Sequence, residues 1–208
     1  STSGNFNSSM GIDTFKNPTT GAANTCLGAG SGNVITTGSE NTLVGRTAGV
    51  AISTGNNNVC VGNGTGNTGV TPGGGISTVS NRIILGNTSS THAHIQIDWT
   101  VASDKRDKTD VTPLDMGLSF INKLEPVTYK WDKRAKYEEG ETPDGTHKES
   151  WTDVGFLAQD VEEIEAEFGH KIEDETNLTT YMSEDENSYG LTYAKFVPML
   201  VKSVQELS

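Results

Sequence analysis

The chain has 208 residues and 15 basic against 27 acidic side chains, a formal charge of −12. That balance argues against a nucleic acid or an anionic membrane held by simple electrostatics. No run of 18 apolar residues is present to span a bilayer, and the opening STSGNFNSSM has neither the basic nor the apolar region of a signal peptide. It also lacks an initiator Met, so the sequence is expected to be part of a longer polypeptide. Cys26 and Cys60 are too few for a disulfide framework, lack zinc-ligand spacing, and read as small buried hydrophobes.

The averages conceal a split near residue 103. Residues 1–102 hold 18 of the 24 glycines and six charged side chains: Asp13, Lys16, Glu40, Arg46, Arg82 and Asp98. Residues 104–208 hold the other 12 basic and 24 acidic groups, and so the whole net charge. Two domains are expected, 1–103 and 104–208.

The first is a repeat. TTGAANTCLGAGSGNVI, TTGSENTLVGRTAGVAI and STGNNNVCVGNGTGNTG follow without a gap, each 17 residues long. They align Gly21, Gly38 and Gly55, then Asn24, Asn41 and Asn58, then Gly28, Gly45 and Gly62. A looser copy, SNRIILGN, follows an interruption at Gly73–Gly75. Each unit reads as a short strand between an Asn and a Gly, residues suited to turns and left-handed backbone. Cys26, Leu43 and Cys60 share one register, as a stacked interior column would require. A single copy cannot bury enough apolar surface to fold, so copies must stack. The core remains thin, and association of chains around a common axis would thicken it. A trimeric β-helix or β-roll stalk is expected.

GAGSG and GNGTG resemble phosphate loops in composition only, because no helix-forming pattern follows either. No cofactor is implied. His92 and His94 alternate with Thr91, Ala93 and Ile95 in what reads as a strand, and with no further ligand nearby no metal site is expected.

The second half reads as a small α+β domain. A helix carries Leu114, Leu118 and Ile121 on one face, with Asp110 or Thr112 as cap, Pro113 in its first turn and Pro126 as its stop. Val127, Tyr129 and Trp131 alternate as a half-buried strand. Residues 132–150 form an exposed loop with a turn at Pro143–Gly145. A short strand ends near Leu157, and a helix presents Val161, Ile164 and Phe168 before stopping at Gly169. The chain ends in a long helix, with Thr192 available as cap and Pro198 near its start. Its apolar face runs Phe196, Leu200, Val204 and Leu207, with Val197 and Val201 beside it.

At the junction stands SDKRDK, residues 103–108. By itself it reads as a solvated turn in which Asp104 or Asp107 caps. With GLSFINKLEPVTYKW, VGFLAQDVEEI and LTYAKFVPMLVKSVQEL following in order, residues 103–208 resemble the intramolecular chaperone domain of phage tail spikes and fibres, the S74 peptidase family. The family motif S-D-x-R-x-K is met by Ser103, Asp104, Arg106 and Lys108. The repeats are similar to stalk repeats that often precede that domain.

The resemblance implies a homotrimer whose C-terminal domain guides folding of the β-stalk and then releases itself by one cut. Ser103 would be the nucleophile, Lys108 its general base, and Ser103–Asp104 the scissile bond. Lysine can act as base only when its amine is neutral, which requires burial or nearby positive charge. Lys105 and Arg106 are candidates for that charge, opposed by Asp104 and Asp107. The mature part would belong to a virion tail fibre and bind a host-cell receptor, and the chaperone would be released in the host cytoplasm.

The alternatives are a non-cleaving trimeric receptor-binding tip and a glycan-degrading enzyme. For the latter, Asp13, Glu40 and Asp98 are scattered rather than paired. The domain also resembles a module of some membrane-tethered eukaryotic transcription factors, a context without support in this sequence.

Overall fold

The computed structural model describes residues 4–208 apart from 73, 139, 184, 185 and 187. Gly73 of the expected interruption therefore lies outside the described residues. The described residues divide into two compact units. One comprises Ser1–Thr91, Lys130–Trp151 and Met182–Ser188; the other comprises His92–Tyr129, Thr152–Tyr181 and Tyr189–Ser208. The boundary expected at 103/104 follows composition, whereas these units follow packing.

The first unit is a solenoid. Strands β1 (Ser8–Met10), β2 (Thr25–Leu27), β3 (Thr42–Val44), β4 (Val59–Val61) and β5 (Ile83–Leu85) stack in chain order, all parallel. Pairing sets Ser9, Cys26, Leu43, Cys60 and Ile84 in one column, as the 17-residue register requires. The middle three are buried and pack with Ile35, Ala48, Ile52, Ile76 and Val79. Burying each large aliphatic side chain contributes about 1.5–3 kcal/mol. Burial also pushes the thiols up, to about 12 at Cys26 and about 11 at Cys60, with Ser31 opposing the rise at Cys26. The two cysteines are hydrophobes here, not nucleophiles.

The polar half of the interior is an asparagine ladder. Asn41 Nδ2 donates to Asn24 Oδ1 at 3.0 Å and to the Gly55 carbonyl at 2.9 Å. Asn58 repeats the pattern on Asn41 Oδ1 and the Val79 carbonyl. Each Oδ1 also accepts the next coil's backbone N–H, ending at Arg82, which stands in the ladder position of the last coil. Buried amides need this completeness, because an unpaired one costs about 1–3 kcal/mol. The residue before each ladder position turns left-handed, at Ala23, Glu40, Asn57 and Asn81. Two glycine columns let the coils close up. A Cβ on Gly38 would lie 2.6 Å from the Gly55 oxygen. At Gly45, with φ 135°, it would lie 2.4 Å from the Gly62 oxygen.

One coil was not anticipated. Gly4, Asn7 and Gly11 precede Gly21, Asn24 and Gly28 by 17 residues, and Asn7 Nδ2 donates to the Gly21 carbonyl at 2.8 Å. Ser9, exposed here, holds the place that Cys26 and Leu43 hold in the inner column, so no apolar residue marks that register position.

The second unit is built around Met116, Phe120, Val161, Phe196 and Met199. Helix α1 is only Leu118–Ile121, shorter than expected. Residues 108–117, with Pro113 among them, are not helical, and the helix ends at Asn122 rather than at Pro126. The physical reason lies at its start. Gly117 holds a non-helical φ of −112° and ψ of −132°, and the Glu206 carboxylate takes the Leu118 N–H at 2.7 Å. Strand β6 (Val127–Tyr129) pairs antiparallel with β7 (Asp153–Gly155), and Trp131 falls outside the ladder. Helix α2 (Ala158–Glu167) stops as expected, with Gly169 at φ 83°. Strands β8 (Thr180–Met182) and β9 (Tyr189–Leu191) form a second two-stranded ladder.

Helix α3 (Phe196–Leu207) forms where expected, with Pro198 in its first turn, but rotated. It buries Phe196, Met199 and Ser203 and leaves Leu200, Val204 and Leu207 exposed. The 196/199/203 spacing is a helical stripe too. The small Ser203, its hydroxyl bonded to the Met199 carbonyl at 2.8 Å, lets the helix approach its neighbours closely. Thr192 makes no side-chain cap. The strand expected around His92 and His94 is absent, and every residue from 91 to 113 is exposed. Without a pairing partner, alternation alone makes no strand.

Candidate functional site

The motif at the junction folds as one 3-10 turn, Lys105–Asp107. Asp104 caps it from extended backbone, its carboxylate accepting the Arg106 N–H at 2.9 Å. The Arg106 guanidinium then folds back onto the same carboxylate. Nε lies 3.1 and 3.2 Å from its two oxygens, and Nη2 lies 2.6 Å from Oδ2. The pair tunes itself: Arg106 holds the Asp104 carboxyl below the usual range, and Asp104 raises the guanidinium. Lys108 closes the turn, its N–H on the Lys105 carbonyl at 3.3 Å. Its side chain returns across the turn, and Nζ donates to Ser103 Oγ at 2.7 Å.

The spacing of the motif thereby has a physical cause. A single tight turn brings positions five apart into contact, and the Asp–Arg pair within the motif clasps that turn. Capping and chemistry, set against each other as readings of these residues, are compatible, because the cap helps to close the Ser–Lys contact. The structure brings together all four singled-out residues: Ser103 with Lys108, and Asp104 with Arg106. Arg106, a candidate source of positive field for Lys108, is engaged by Asp104 instead.

All four are exposed. In the recorded contact lysine is the donor; nucleophilic attack needs the reverse, a neutral amine accepting the serine proton. Removing water from around Lys108 is what would favour that form. Exposed apolar side chains border the turn on both sides, with Ile97, Trp99 and Val101 before it and Val111 after.

Sequence reasoning missed a second polar centre. Glu165 of α2 is fully buried. Its carboxylate accepts the Thr179 N–H and hydroxyl, both at 2.6 Å, and the Thr180 hydroxyl at 2.5 Å, with the Thr180 N–H at 3.4 Å. It ties α2 to the start of β8. A signal existed: Val161, Glu165 and Phe168 lie on one helical stripe, so the glutamate sits where an apolar residue belongs.

Residues 103–170 match the family model of peptidase S74, described as chaperone of endosialidase. The match opens at Ser103 and takes in the whole turn, β6, β7 and α2. It supports an intramolecular-chaperone role for this part of the chain, within a family named for peptidase activity. No curated protein and no solved structure matches the chain.

Proposed function

We propose that the chain belongs to a homotrimeric viral tail fibre or spike. Its C-terminal region guides assembly of the β-solenoid and then releases itself by autoproteolysis. The observation that carries this reading is the 2.7 Å contact between Lys108 Nζ and Ser103 Oγ, at the first residues of the S74 match. The mature solenoid part binds a host-cell surface receptor as part of the virion, and the chaperone is shed in the host cytoplasm.

The reaction runs as acyl transfer followed by hydrolysis. Lys108 takes the Ser103 hydroxyl proton, and Oγ attacks a backbone carbonyl carbon. The peptide C–N bond breaks, and the departing amine takes the proton from Lys108. Water then splits the ester and restores the serine. One choice of bond requires a second chain. Ser103 Oγ reaches its own carbonyl carbon only through a four-membered ring, so scission at Ser103–Asp104 requires the hydroxyl of a neighbouring copy. Attack on the preceding Ala102 carbonyl closes a five-membered ring and would cut before Ser103. Cutting at Ser103–Asp104 is therefore the outcome that ties chemistry to assembly. The same assembly supplies the desolvation Lys108 needs, by covering the apolar residues that flank the turn.

Intact mass under denaturing conditions tests this on the wild type, Ser103→Ala and Lys108→Met. Two wild-type fragments meeting at Ser103/Asp104, with both variants whole, are expected. Fragments meeting at Ala102/Ser103 would remove the requirement for a neighbouring copy, since the same chain's serine reaches that carbonyl. Full-length chain throughout would replace cleavage by the non-cleaving receptor-binding tip, and cutting of Lys108→Met at the wild-type rate would remove the dyad.

A further inference from the structure

The solenoid strands have an outer face as regular as their inner one. The third residue of each strand points away from the core, giving the column Met10, Leu27, Val44, Val61 and Leu85. The first residues form a parallel column, Ser8, Thr25, Thr42, Val59 and Ile83. Met10, Leu27, Val61, Ile83 and Leu85 are 71, 44, 40, 74 and 58% exposed. None of the fifteen strand residues is charged. Beyond the aliphatic column lie Gly11, Gly28, Gly45, Gly62 and Gly86, which put no side chain in the way of an approaching surface.

We propose that this outer face packs against the same face of other copies of this chain and is the seam of the stalk. Three arguments select a second copy over another occupant. The first is period: aliphatic side chains recur at every coil, at the ~4.8 Å spacing of parallel strands, and another copy has the same pitch. The second is charge: residues 1–102 carry three basic and three acidic groups and the strands none, so copies of this half meet here without net repulsion. The third is area. The exposed apolar side chains present roughly 500 Å², about the largest patch that monomers leave open. The copies run parallel with coils at matching height, so Leu27 meets Leu27. That direction rests on the fibre reading above; the face itself does not.

Sedimentation equilibrium of the full chain carrying Ser103→Ala, which stays whole, tests the seam. The parent is expected at three times the 22.1 kDa of one chain. Leu27→Glu/Val44→Glu/Val61→Glu in that background is expected at 22.1 kDa, a threefold fall. Protection of Cys26 and Cys60 from thiol reagent reports that its coils stay folded. A separate Leu27→Cys chain is expected to form an intermolecular disulfide at position 27. A monomeric parent, a triple variant that still associates with its thiols protected, or absence of the position-27 cross-link overturns the seam. If the triple variant exposes its thiols, the cross-link alone decides. Cleavage of the wild type is scored apart: a chain that cuts but does not associate here sinks the seam, and one that associates here but never cuts sinks the self-processing reading.

Discussion

The two units solve the burial of polar groups in opposite ways. The solenoid distributes it: each ladder asparagine repeats one set of hydrogen bonds coil after coil, and no coil stands alone. The second unit concentrates it: one carboxylate, Glu165, gathers four donors from two consecutive threonines. A distributed network fails by propagation, because removing one rung strands groups above and below. A concentrated one fails at a point. The difference suits the proposed division of labour, a stalk that outlasts assembly and a helper that need fold only once.

The largest effect is expected from Asn41→Ala, at the middle rung. It removes four hydrogen bonds, two donated by Asn41 Nδ2 and two accepted by its Oδ1 from Asn58. It leaves buried groups of Gly55 and Asn58 unpaired, a destabilisation of about 3 kcal/mol or more. Chemical denaturation should show it in the solenoid transition, and an unchanged midpoint would mean the ladder contributes little. Glu165→Leu strands chiefly one fixed donor in the other unit, the Thr179 N–H, because the two hydroxyls can rotate and the Thr180 N–H contact is long at 3.4 Å. About 2 kcal/mol is expected there, with thiol protection of Cys26 and Cys60 untouched. Loss of that protection would show the units to be one cooperative body.

The thiols sharpen the comparison further. With both pushed to about 11–12 by burial, the folded chain should resist a thiol reagent at pH 8 and react at both cysteines only when unfolded. Prompt labelling of either would contradict the closed column.

The smallest effect is acid sensitivity of the α1 contact. The Leu118 N–H and Lys202 hold the Glu206 carboxyl below its usual 4.5. A depressed folded pKa contributes stability fully present above about 4.5 and lost as pH falls through the lower folded value. Glu206→Gln should flatten that dependence in an acid melt of the second unit, and a profile as steep as wild type would assign the acid loss elsewhere.

Legibility differed between the halves for a physical reason. In a solenoid the covalent period is also the spatial one, so Asn24, Asn41 and Asn58 spaced by 17 must stack, and the interior column followed from counting. The first coil escaped because Ser9 carries no apolar signal. In the second unit partners come from distant segments. Nothing near Leu118 announces Glu206, and nothing near Thr179 announces Glu165. Helix α3 has two apolar stripes, and periodicity cannot say which faces Met116 and Phe120. The motif residues were legible as types; the turn that joins them required Asp104 and Arg106 to be seen as its clasp.

The sequence by itself determined the 17-residue coil, its inner column, the change of chain character near residue 103 and the residues of the Ser–Lys motif. All of these are set by spacing along one segment. Only the tertiary structure decided which face of α3 is buried, where α1 begins, that Glu165 is interior and that Ser103 and Lys108 touch. Each of those depends on what a second segment or a turn brings within hydrogen-bonding distance, and local periodicity carries no record of it.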